Sequence, residues 1–186
     1  KSQSALLEAM EERQVTVEGK SLKLPQPFFV IATQNPMSQA GTFPLPESQL
    51  DRFLLSISLG YPDEAAERAL LEGTTSRADV GALQQVVSEE QLLALRHQVD
   101  AVRASPAVLD YVQRLLAYSR YEGGFSHGLS PRAGIALVRV AKAWSLLHER
   151  DYLIPEDVQA VLSSVADHRL VVGAGQKMLN HVRVLA

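Results

Sequence analysis

Three side chains carry most of the chemistry this sequence can offer: Asn35, Arg52 and Arg132. Asn35 closes the polar step Thr33-Gln34-Asn35, between the apolar run Phe28-Phe29-Val30-Ile31-Ala32 and Pro36. A run so short, rich in aromatic and β-branched residues, predicts a fully buried strand of a parallel sheet. Ligands of open α/β folds lie just beyond the carboxyl ends of the strands, where Asn35 stands. Taken alone, an Asn there is an ordinary turn former. Arg52 lies in Glu47-Ser48-Gln49-Leu50-Asp51-Arg52-Phe53, held between apolar Leu50 and Phe53. Taken alone, an Arg beside an Asp is a solvated pair contributing about 0–1 kcal/mol.

Arg132 belongs to Gly128-Leu129-Ser130-Pro131-Arg132-Ala133, where Ser-Pro predicts a helix start. A cation in the first helical turn opposes the dipole, at a cost of about 0.3–1 kcal/mol. An anion at that end reverses the sign, because backbone N–H groups and a guanidinium converge on it, and phosphate is the usual candidate. Pairing with a nearby acid such as Glu122 accounts for the residue equally well.

The order and spacing are more specific than the parts. ATQNP followed by GTFPLPESQLDRF closely resembles the second half of the nucleotide-hydrolysing core of MoxR-type AAA+ ATPases, and the SPRA segment resembles the sensor-2 motif of AAA+ lids. The resemblance implies Asn35 as sensor 1, orienting the attacking water, and Arg52 as an arginine finger offered in trans to a neighbouring subunit's nucleotide. It implies Arg132 as sensor 2, contacting the nucleotide phosphate in its own subunit. With these come ATP and Mg²⁺ as cofactors of the whole protein and a homo-oligomeric ring, expected to be a hexamer. They also imply a cytoplasmic, chaperone-like role in remodelling or assembling other proteins, with a von Willebrand A domain protein as a possible partner. No G-x-x-x-x-G-K-[ST] loop occurs in the chain, and the family's acidic Walker B pair would precede Lys1. The stretch alone is therefore expected neither to hold ATP tightly nor to hydrolyse it. With no initiator Met and a start inside a helical pattern, it reads as part of a longer protein.

The bulk composition is compatible with this. A chain of 186 residues with 46% hydrophobic content can build a folded core. A net charge of −3 supplies no general attraction to nucleic acid or anionic membrane. Without Cys there are no disulfides or thiolate metal sites, which suits a reducing compartment. No apolar stretch approaches the roughly 20 residues of a membrane helix. The five histidines show no metal-ligand spacing, so no metal site is expected, and neither G-x-S-x-G nor HExxH is present.

The elements that must position the three side chains fall into two groups. Residues 1–60 form the α/β portion, an incomplete parallel sheet with a β-hairpin. Residues 61–186 form an all-α lid. In the first, Lys1 to about Arg13 is helical, and Val15–Glu18 and Ser21–Leu24 alternate around a Gly19-Lys20 turn as a hairpin. Phe53–Leu59 predicts an outer strand. In the second, helices start at Asp63, Ser88, Ser105-Pro106, Ser130-Pro131 and Pro155, with a last short one over Lys177–Val184. Their inner faces are expected to be Leu92/Leu95/Val99, Val108/Leu109/Val112/Leu115/Leu116, Ile135/Val138/Ala141/Trp144 and Val158/Val161/Leu162/Val165. Two other readings compete with the ATPase: a helical protein-binding module, and a DNA-acting AAA+ motor of the helicase or helicase-loader kind, with the hairpin on nucleic acid.

Overall fold

The computed structural model of the chain describes residues 2–33, 46–73 and 83–172. It is an α/β portion carrying a hairpin, followed by a bundle of helices. Helix α1 (Ser2–Glu12) runs into strands β1 (Gln14–Val17) and β2 (Lys20–Lys23), paired antiparallel with Gln14 opposite Lys23 and Val17 opposite Lys20. Glu18 and Gly19 both take positive φ between them, the twist a two-residue hairpin turn needs. Thr16 donates to Glu8 Oε1 at 2.6 Å, which ties the hairpin back onto α1.

The two predicted parallel strands are corrected. Phe28–Ala32 and Phe53–Leu59 make no ladder among the described residues, and Phe29, Ile31, Ile57 and Leu59 are exposed. A parallel strand exists only through the neighbour that accepts and donates along its edge. The described residues offer these segments none, so their composition predicts a pairing that is not completed among them. One backbone bond, Ser56 N–H to Ser164 O at 2.8 Å, anchors the second segment to the bundle instead.

After the short helix α2 (Glu47–Leu50) come α3 (Glu64–Leu71), α4 (Glu89–Ala101), α5 (Pro106–Tyr121), α6 (Pro131–Leu147) and α7 (Pro155–Ala166). The caps are those the sequence predicts. Asp63 accepts from Ala66 N at 2.8 Å, Ser105 from Val108 N at 3.3 Å and Ser130 from Ala133 N at 3.0 Å. Ser88 and Gln91 form a reciprocal capping box. Strands β3 (Phe125–His127) and β4 (Val171–Val172) pair antiparallel at the bundle's side. The segment Lys177–Val184 lies outside the described residues.

The core sits among α5, α6 and α7: Val108, Val112, Leu115, Leu129, Leu137, Val158, Leu162 and Val165 are buried together. Each such side chain contributes about 1.5–3 kcal/mol relative to exposure. The inner face of α7 is as predicted, and three others need correction. Leu109 on α5 and Leu92 and Leu95 on α4 are exposed, as are Ile135 and Trp144 on α6. Helix α6 buries Ala133, Ala136, Leu137, Ala141 and Ser145 instead, because small side chains let its backbone approach α5 and α7 closely. Gly134 belongs to that face, since a Cβ there would lie 2.7 Å from a Leu116 methyl. Trp144 stacks on His148 at a ring separation of 4.8 Å rather than filling the core.

Candidate functional site

The corner leading into α6 is built by α5. Buried Ser119 donates to Leu116 O and accepts from Leu129 N–H at 3.0 Å, while Arg120 Nε donates to Leu129 O at 2.8 Å. Both polar groups of Leu129 are thereby held by one helix. Only glycine fits just before it, since a Cβ on Gly128 would lie 2.6 Å from Ser119 O and 2.7 Å from the Arg120 backbone. This corner delivers Ser130 and Arg132 to the junction with the α/β portion.

There the two portions are tied by charge. The Ser130 hydroxyl caps α6 and donates to Asp51 Oδ2 at 2.8 Å. Arg132 Nη2 donates to Glu11 Oε1 at 2.5 Å, and its Nη1 lies 3.7 Å from Asp51 Oδ2. Arg52 Nη1 pairs with the other oxygen of the same carboxylate, Glu11 Oε2. One glutamate from α1 thus bridges the two arginines that the sequence singles out. Arg52 is the more enclosed, its side chain 24% exposed against 50% for Arg132, and its Nε is buried without a partner among the described residues. Asn35, the third predicted site residue, lies outside the described residues.

Sequence reasoning missed the most heavily bonded member. Arg169, just beyond α7, has a side chain only 3% exposed and uses every N–H of its guanidinium. Its Nε donates to Asp51 Oδ1 at 2.9 Å. Its Nη2 donates to Asp51 O at 3.3 Å and to Phe53 O, and its Nη1 to Leu54 O at 3.4 Å and to Val165 O. Burial pulls this guanidinium below its usual pKa, its bond to Asp51 opposes the shift, and Arg132 adds to it. Next to it, His168 Nε2 meets Phe53 O at 3.3 Å, and burial, with Arg169 adding, lowers its pKa. The one readable sign was Arg169's place on the apolar stripe of α7, four residues beyond Val165.

Among the described residues the cluster holds three guanidiniums, of Arg52, Arg132 and Arg169, against two carboxylates, of Glu11 and Asp51, a surplus of positive charge. It suits an anion with several oxygens. A second buried pair is structural: Asp157 takes both Arg150 Nη atoms, at 2.7 and 2.5 Å, and the Ile154 N–H at 3.1 Å, and Arg150 holds its carboxyl below the usual range. No group of His, Asp or Glu that could hold a metal occurs among the described residues.

Known proteins fit this geometry. Residues 1–55 match the ATPase family associated with various cellular activities (AAA), and residues 118–183 match the AAA lid domain. The fold and these two matched segments are those of a AAA+ ATPase. Within that class the chain belongs to the MoxR-type ATPases. It is 42% identical over 172 residues to the uncharacterised protein YeaC of Bacillus subtilis, covering 92% of this chain and 54% of that protein. It is 38% identical over 183 residues to the chaperone MoxR1 of Mycobacterium tuberculosis, covering 92% of this chain and 48% of that one. The crystal structure of a candidate ATPase from Cytophaga hutchinsonii superposes with a TM-score of 0.86 at 35% identity, over 98% of this chain and 60% of that one. The chain spans about half the length of the curated relatives it matches.

Proposed function

We propose that this chain supplies the arginine finger, the two sensors and the lid of a MoxR-type ATPase that couples ATP hydrolysis to remodelling or assembly of other proteins. The observation that carries the reading is the shared carboxylate. Arg52 and Arg132 come from distant segments of the chain and meet on Glu11, in a cluster with surplus positive charge. The Nε of Arg52, buried without a partner among the described residues, is a further donor.

The described residues fit triphosphate, and among them no group of His, Asp or Glu fits its metal. Bound ATP with Mg²⁺ would supply the phosphoryl group to be transferred to water, the metal being held by residues outside this chain. Arg52 spreads positive charge over the phosphoryl oxygens as negative charge shifts among them, and Arg132 reads phosphate from the lid. Asn35 orients the attacking water. Because a finger of this kind completes the site of the next subunit, the working form is a homo-oligomeric ring, which we take to be a hexamer. The division into an α/β portion over residues 1–60 and a lid over 61–186 is part of the proposal, as is inactivity of this stretch on its own. A von Willebrand A domain partner and a cytoplasmic setting complete it. No described helix is long and apolar enough to cross a membrane.

The test is Arg52→Ala in the intact protein. A finger contributes about 10³–10⁵ in rate, so turnover should collapse while the nucleotide Kd stays within about twofold. Equal loss of binding and turnover, or no loss of turnover, overturns the assignment.

The shared Glu11 also favours a second reading for Arg132. Two guanidiniums that converge on one carboxylate lie close enough for both to serve one triphosphate, with Arg132 acting in trans beside Arg52 rather than in cis.

A further inference from the structure

We propose that Arg169 is a positioning residue for Arg52: from the lid it grips the backbone on both sides of the finger and fixes where that side chain points. The inference rests on the finger reading above. The acceptors of Arg169 are Asp51 Oδ1, Asp51 O, Phe53 O and Leu54 O, with Val165 O in the last turn of α7. These lie immediately before and after Arg52, whose own side chain reaches Glu11. A planar guanidinium with five N–H donors can meet so many acceptors at once, and an ammonium with three cannot. The grip comes from just past α7, and Asp51 passes it to Ser130 and so to the start of α6. The lid of a subunit therefore sets the finger that the same subunit offers to its neighbour. A change of lid position reaches the adjoining site through Arg169 without passing through the nucleotide of that site.

Mixed rings of the intact protein test this. One subunit carries Arg169→Lys. The other carries a substituted phosphate-loop lysine, so its own pocket is dead and its finger intact, and an Arg52→Ala subunit serves as the reference. Homogeneous Arg169→Lys rings should lose at least tenfold in kcat with nucleotide Kd within twofold. Mixing with pocket-dead subunits should restore turnover, because the Arg169→Lys pocket is sound and borrows a correct finger. Unchanged kcat in Arg169→Lys, or a loss that mixing does not restore while Arg52→Ala is restored, overturns the positioning role and leaves the finger intact. An Arg52→Ala loss that mixing does not restore overturns the finger reading and this inference with it. If Arg169→Lys subunits fail to join rings, Asp51→Asn takes their place, since it removes the charge facing Arg169 Nε, and the same outcomes decide.

Discussion

The bridge between Arg52 and Arg132 depends on the charge of Glu11, and replacing that residue with Gln tests it at nearly constant shape. Each arm is worth about 4 kcal/mol in gross Coulomb attraction at 4 Å and an effective dielectric near 20. Solvent reduces the two arms unequally. Arg132 is 50% exposed, so its arm contributes about 0–1 kcal/mol. Arg52 is 24% exposed against a carboxylate that is 35% exposed, and its Nε already lacks a partner. Losing its anion leaves a half-enclosed charge uncompensated, at about 1–3 kcal/mol. Glu11→Gln should therefore destabilise by about 2 kcal/mol, which in a cooperative unit of about 150–250 residues lowers Tm by roughly 4–8 °C, and by less in a larger one. The assay is denaturation of the nucleotide-free intact protein, since bound ligand would shift the transition by mass action. Arg52→Met and the double variant complete a cycle, and the coupling energy should be about 1–2 kcal/mol. Sites that do not interact add to within about 0.3–0.5 kcal/mol. A coupling inside that margin would refute the bridge, and with it the claim that the two arginines face one anion.

Two further outcomes follow from the junction. In mixed rings, Arg132→Ala subunits should recover turnover when paired with pocket-dead subunits if Arg132 serves the neighbour's nucleotide, and should stay inactive if it serves its own; ATP hydrolysis against mixing ratio separates the two. The second concerns acid. Burial lowers the His168 pKa, so on acidification the unfolded chain takes the proton first. Stability is then flat above the ordinary value of 6.5, falls as pH drops below it, and levels off beneath the lowered folded value. The slope cannot exceed about 1.4 kcal/mol per pH unit. Asp167, whose carboxyl is raised by partial desolvation, acts in the opposite sense in its own range. Urea titrations of wild type and His168→Gln between about pH 8 and 5 isolate the histidine by difference, and a wild-type curve no steeper than the variant's would exclude the mechanism.

What could be read from the sequence is what neighbouring residues decide among themselves. Ser88, Ser105, Ser130 and Asp63 cap their helices through bonds to residues three positions on, and the hairpin turns locally at Glu18-Gly19, one residue before the expected Gly19-Lys20. The motif logic behind Arg52 and Arg132 is also local, and the structure brings both to one carboxylate. Failures begin where the partner is far away. Phe28–Ala32 has strand composition without a strand neighbour among the described residues, and α6 was given an inner face led by Ile135 and Trp144 because large apolar residues outweigh alanines in any periodicity count. Its true face is made of Ala133, Ala136 and Ala141, which bury little area themselves but set how close the helices come. Glu11, Asp51 and Arg169 were invisible as a group, since no local spacing links the first helix, the finger segment and the end of the lid. Arg169 did carry a mark of its own. It continues the stripe Val158, Leu162, Val165 as the charged member of an apolar face, and a buried guanidinium without acceptors is far too costly to persist. Its presence there requires carbonyls or a carboxylate from another segment to dock on that face. The sequence alone could state that requirement but could not say that Asp51, Phe53 and Leu54 would meet it.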